Sequence, residues 1–250
     1  MSEDQDRDEA PGARTPPDPS TVPVGKTTET KATAVRVLFE NDELLAVDKP
    51  EGVVSISGAG AGGLPELLRR EGVYAGRLYP VHRLDRGASG VIVYAKTPEM
   101  HRYLNREFDR RAVRKTYLAL VHGLTANRGV VNKPLREFGS GRMGVDEARG
   151  KPSSTEFKVE RRLRGFTLLR VRPLTGRRHQ IRVHLYSLGH PIVGDSRYGE
   201  RALQERYPRL MLHALEIEFV LPTGERLKIG APLPESFTAV VDGLKKGGRT

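Results

Sequence analysis

The chain contains no cysteine in 250 residues. That excludes disulfides, thiol nucleophiles, zinc ribbons and iron–sulfur clusters, and it is compatible with a cytoplasmic location. Tryptophan is absent too, and aromatic residues make up only 6%, too few for an extended platform on which single-stranded nucleic acid stacks. No apolar run approaches the roughly 18 residues that a membrane helix needs. The N-terminus lacks the charged start, apolar core and cleavage site of a secretory signal. Residues 1–34 hold five prolines and no Leu, Ile or Phe. Such a segment buries too little surface to offset its ordering entropy, and a disordered acidic tail is expected there.

Positive charge is what the chain has in excess. The formal net charge is +11 and the isoelectric point is about 10.0. Seven acids against four bases leave residues 1–34 at −3, so the remainder carries +14. That bias points to a polyanionic partner. Nucleic acid fits better than a membrane surface, because no basic amphipathic helix dominates.

With 37% apolar residues, the chain has enough for a large core. Folded sequence is expected over residues 35–245, with a flexible tail over 246–250. Val35–Phe39 and Leu44–Val47 flank Asn41-Asp42 as a hairpin, and Lys49-Pro50-Glu51-Gly52 makes the next turn. The 58–63 run reads as a flexible loop and Leu64–Glu71 as a short helix. Thr97-Pro98-Glu99 starts a helix whose core face is Met100, Leu104 and Phe108. Arg114–His122 reads as a strand, and the glycine-rich, charged stretch Gly139–Gly150 as a mobile loop. Thr155, Phe157 and Val159 alternate with charged residues as a strand with one wet face, which Phe166–Val171 joins. Leu215, Ile217 and Phe219 alternate likewise, Pro222–Glu225 turns into Arg226–Ile229, and Phe237, Val240, Val241 and Leu244 stripe a closing helix. Antiparallel pairs with interspersed helices predict an α+β fold rather than a doubly wound sheet.

Two segments carry the chemistry. In the first, His82-Arg83-Leu84-Asp85-Arg86-Gly87-Ala88-Ser89-Gly90, one carboxylate lies between arginines just before the apolar run Val91–Ala95. A carboxylate that acts on a polyanion needs positive charge around it, and small neighbours let a flat substrate approach the backbone. The second runs Thr175-Gly176-Arg177-Arg178-His179-Gln180-Ile181-Arg182 and on to Gly189, a helix entered from a turn and closed by glycine. Ile181, Leu185 and Leu188 are expected to face the core, with Arg182 beside them at a cleft edge. Cations at a helix N-terminus oppose the dipole, which bound phosphates would offset.

These blocks, together with Lys115-Thr116-Tyr117 and His190-Pro191-Ile192-Val193-Gly194-Asp195-Ser196-Arg197-Tyr198-Gly199, resemble the RluA-type family of RNA pseudouridine synthases. The resemblance runs from about Val35 to Phe237. It implies a single catalytic domain of mixed, mainly antiparallel sheet, in two halves flanking a central cleft with peripheral helices. It implies an isomerase that turns a uridine of structured RNA into its C-glycoside without metal or cofactor. On this resemblance Asp85 is the catalytic residue, Tyr117 packs on the target base and Arg182 pairs with the carboxylate. Arg83 contacts RNA near the vacated stack, and His82, Arg86, Arg177, Arg178 and His179 join it as expected RNA contacts. The family usually has threonine where Ala88 stands. Many relatives also carry an N-terminal S4 module, so here target selection is expected to rest on the catalytic domain.

Breaking N1–C1′ and rejoining through C5 requires the base to leave its stack. Asp85 attacking C1′, attacking C6 and taking the C2′ proton all remain open. Tyr117 offers a flat face and a hydroxyl that can assist removal of the C5 proton. The histidines fit no zinc spacing, so no metal is expected. The partner is expected to be ribosomal or transfer RNA, with no membrane and no obligatory protein partner, and the chain to act as a cytoplasmic monomer. The alternative is a non-catalytic RNA-binding or ribosome-assembly factor on the same fold, which would tolerate Asp85→Asn.

Overall fold

The computed structural model describes residues 35–56 and 62–246. The expectations for residues 1–34, for most of the 58–63 run and for 247–250 of the closing tail fall outside them, while Lys246 ends the last helix instead of starting that tail. In chain order the elements are β1 (Val37–Glu40), β2 (Leu44–Lys49), α1 (Leu64–Arg70), β3 (Tyr79–Pro80), β4 (Ser89–Ala95) and α2 (Pro98–Asp109). There follow β5 (Arg114–His122), β6 (Arg128–Asn132), β7 (Leu135–Glu137), β8 (Met143–Val145), β9 (Ser154–Leu163) and β10 (Phe166–Pro173). The chain closes with α3 (Gln180–Ser187), α4 (Arg201–Gln204), β11 (Leu212–Val220), β12 (Arg226–Gly230) and α5 (Glu235–Lys246).

One sheet runs β1-β2-β4-β11-β5-β10-β9-β6, with β12 added to β11 and β3 to β4. Every described pairing is antiparallel except β4 with β11, where Ser89 faces His213 and Gly90 faces Ala214. The α+β reading therefore holds. That parallel contact is the seam between two halves, each with its own core. One gathers Leu44–Val47, β4, Leu64, Leu68, Met100 and Leu104; the other gathers β5, β10, Ile181, Leu185 and Phe237. All seven residues of β4 are buried, as expected of a central strand covered on both faces.

Most local expectations hold, and three need correction. Gly139–Gly150 is not simply a loop. Met143–Val145 pairs with Leu135–Glu137 in a small hairpin, and Tyr198 donates no strand but caps it, its hydroxyl accepting Met143 N–H at 3.2 Å. Leu188 is exposed rather than in the core, because α3 ends at Ser187 and Gly189 turns the chain at φ +81°. Arg177, Arg178 and His179 precede α3 instead of filling its first turns, and His179 is its N-cap. No helix among the described residues is long and apolar enough to cross a membrane.

Candidate active site

The loop before β4 is held from both sides. Ser55 Oγ accepts Leu84 N–H and donates to Leu84 O, each at 2.9 Å, while the Tyr94 hydroxyl fixes Ser55 by donating to its carbonyl at 2.6 Å. On the other side the Arg86 carbonyl accepts Gly52 N–H at 2.8 Å and the Lys49 ammonium at 3.3 Å. Lys49 is fully buried and also donates to the carbonyls of Pro50 and Val53, each at 2.7 Å. Burial, with Arg209 nearby, pulls its ammonium down to about 7. Between these two anchors stands Asp85, with Ala88 N–H closing the turn onto its carbonyl at 3.0 Å.

Asp85 opens into a cleft of about 500 Å³ at the seam of the sheet. Tyr117 of β5, Arg182 of α3, and His82, Arg83, Arg177, Arg178 and His179 line the same cleft. Arg182 Nη1 donates to Asp85 Oδ2 at 3.1 Å across 97 residues of chain. Arg86 is the exception. Its side chain turns back to donate to the Gly52 carbonyl at 2.9 Å and forms no part of the cleft wall.

Sequence reasoning missed what holds Arg182. Its Nε and Nη2 donate to Asp195 Oδ2 and Oδ1 at 2.7 and 2.8 Å, a bidentate fork. Asp195 is 1% exposed and also accepts the backbone N–H groups of Arg197 and Tyr198. The one available signal was its place inside the His190–Gly199 block. Lys115 was missed as well; it lines the cleft with its ammonium 5.7 Å from the Phe108 ring centroid, and burial lowers its pKa.

The two cleft histidines, His82 and His179, are neutral parts of the framework. His82 Nε2 accepts Val93 N–H at 3.0 Å, the ring stacks on Phe108, and burial beside Lys115 pulls it down to about 3. It braces the loop and supplies no cation. His179 adopts a left-handed backbone at φ 53°, a conformation that costs energy and is concentrated at functional sites. Its Nδ1 lies 2.7 Å from the Tyr198 hydroxyl and its Nε2 3.9 Å from Asp85 Oδ1. Burial, against the pull of Asp85, lowers it to about 4. Burial and the Asp85 charge both push the Tyr117 hydroxyl upward, so it stays protonated.

The profile of the RNA pseudouridylate synthase family matches residues 43–187, which span the Asp85, Tyr117 and Arg182 positions. This chain belongs to that family. Ribosomal large subunit pseudouridine synthase C of Vibrio vulnificus is 39% identical over 236 residues, covering 91% of this chain and 75% of the relative. The protein of that name from Escherichia coli K12 is 38% identical over 223 residues, covering 84% and 70%. Among solved structures, human RNA pseudouridylate synthase domain containing 1 superposes with a TM-score of 0.72 at 30% identity, over 86% of this chain and 90% of that one. Human RNA pseudouridylate synthase domain containing 4 gives 0.69 at 26% identity, over 83% and 92%. As a pseudouridine synthase family member, the chain is an RNA-modifying isomerase.

Proposed function

We propose that this chain isomerises a uridine of large-subunit ribosomal RNA to pseudouridine, with the base flipped into the seam cleft and Asp85 as the catalytic residue. The observation that carries the reading is the Asp85–Arg182 contact at 3.1 Å, inside a cleft whose wall includes Tyr117. The ribosomal target is supported by the names of the relatives. Arg182, donating to Asp85 Oδ2, holds the carboxylate aimed into the cleft. Tyr117 packs on the extruded uracil; its raised pKa disfavours a phenolate and therefore a role as the base at C5. Breaking N1–C1′ sends the bond pair to uracil, which turns and bonds C1′ through C5. The C5 proton is then lost and N1 gains one. The cleft shields the detached base from water during that turn.

The test is to incubate the protein with transcripts of large-subunit ribosomal RNA and of transfer RNA, and to map pseudouridine by carbodiimide labelling. Labelling is expected in the ribosomal transcript. Asp85→Asn should lower the rate on the order of 10²- to 10⁴-fold, with RNA affinity changed only a few-fold. Undiminished labelling by that variant would remove Asp85 from the chemistry, and labelling of transfer RNA alone would overturn the substrate.

A further inference from the structure

A second cavity shares no wall residue with the first. It measures about 470 Å³, close to the size of the seam cleft, and sits between the β7–β8 hairpin and α3. Its wall includes Phe138, Arg142, Met143, Val183, Tyr186 and Tyr198. Two of these aromatic side chains stay open to solvent, Phe138 at 41% and Tyr186 at 45% exposure. Rings that served only the packing of hairpin on helix would be covered by it. Gly144 makes room for this arrangement, since a Cβ there would come within 2.7 Å of the Phe138 ring.

Arg142 decides the chemistry of the occupant. Its guanidinium carbon lies 5.3 Å from the Tyr198 ring centroid and 6.0 Å from that of Tyr186. Among the described residues it meets no carboxylate. An apolar peptide seated here would bury that charge without a partner, which is costly. A nucleobase would stack on the rings, offer carbonyl and ring-nitrogen acceptors to the guanidinium, and leave its phosphates to the rim. Two more arginines bond to residues next to that wall in sequence, Arg178 to Glu137 and Arg197 to the Gly141 carbonyl at 2.6 Å.

The cavity is also tied to the catalytic cleft. Tyr198 forms part of its wall, and its hydroxyl contacts His179, which lines the cleft beside Asp85. The Tyr186 ring lies two ring-to-ring steps from His179, at 6.4 and 5.6 Å. Arg178 of the cleft wall pairs with Glu137 of the hairpin.

We infer that this second cavity is a stacking subsite for another unpaired base of the RNA that presents the target uridine. The inference rests on the RNA reading of the cleft but not on Asp85 being the catalytic group. Its test uses the full chain and transcribed large-subunit ribosomal RNA, with binding measured at fixed salt and turnover by pseudouridine yield. Tyr186→Ala, at a half-exposed position, should weaken binding roughly 5- to 100-fold, as loss of one base stack does. KM should rise correspondingly, with little change in kcat. Tyr186→Phe keeps the stacking face and should retain wild-type affinity. Wild-type affinity in Tyr186→Ala would overturn the subsite even if Asp85-dependent isomerisation were found. Reduced affinity with no pseudouridine in any RNA would keep the subsite and sink the catalytic reading. A Tyr186→Ala change that left RNA binding intact but altered the sedimenting mass, or released a bound protein, would assign the cavity to a protein partner instead.

Discussion

Arg182 has three donors in use and only one of them reaches Asp85. The bidentate fork to Asp195 fixes the plane of the guanidinium before any substrate arrives, so the geometry offered to Asp85 is set by a residue outside the cleft wall. Because Asp195 is buried, removing its charge leaves Arg182 poorly compensated as well as free to rotate. Asp195→Asn should therefore cost about 3 kcal/mol of stability and lower kcat roughly 10- to 100-fold, with KM nearly unchanged. Denaturant melts and steady-state kinetics on large-subunit ribosomal RNA separate the two effects. A drop confined to stability would reduce Asp195 to a packing role. The same residue marks the limit of reading one chain. Asp85, Tyr117 and Arg182 stand out because each sits in a block whose residues carry a readable chemistry, whereas Asp195, also inside a distinctive block, lies 13 residues past Arg182 and only the fold turns it back onto that side chain.

At the scale of elements, the site exists because β4 and β11 run side by side in parallel. Gly90 sits at that crossing with φ +110°, and a side-chain carbon there would run into the Ala214 backbone. Gly90→Ala should destabilise the chain by about 3 kcal/mol or more, through both strain and steric overlap. Gly139→Ala, with open space around it, should stay within about 0.5 kcal/mol. Equal denaturation midpoints for the two variants would refute the seam argument. Strands and helices were legible where periodicity was strong: β4, β5, α2 and β10 lie within a residue or two of their expected bounds, while β9 runs on past its alternating stretch to Leu163. The β7–β8 hairpin was not, because three-residue strands rich in glycine and charge carry no alternation. Its pairing comes from tertiary contact with Tyr198 and α3. The buried clamp at Lys49 was equally invisible, since a lysine at a strand end reads as a solvated charge until three carbonyls are found around it.

Charge acts on the whole molecule in two ways. Burial lowers the pKa of five histidines, His82 to about 3, His179 and His213 to about 4, with His122 and His184 shifted in the same direction. Below about pH 6.5 the unfolded chain takes up protons that the folded chain refuses, so stability present above that pH is lost as pH falls toward 4. Asp48, raised to about 6 by burial, runs the other way between about 4 and 6 and offsets part of the loss. A melting temperature lower by roughly 10 °C at pH 5 than at pH 7.5 is expected by calorimetry, and a flat profile would contradict the buried-neutral assignment. RNA binding reads the other side of the charge. Arg83 and Arg177 are exposed in the cleft and meet no carboxylate among the described residues, whereas Arg86 is turned back onto Gly52. If the first two neutralise phosphates, each replacement by alanine should reduce the slope of log affinity against log salt by about 0.7 to 0.9. Arg86→Ala should leave that slope unaltered, because a guanidinium held by a backbone carbonyl away from the cleft releases no counterion there. Equal slopes for all three variants would mean that the cleft does not follow the RNA backbone, and the excess of positive charge would then have to act as a diffuse field rather than through these two contacts.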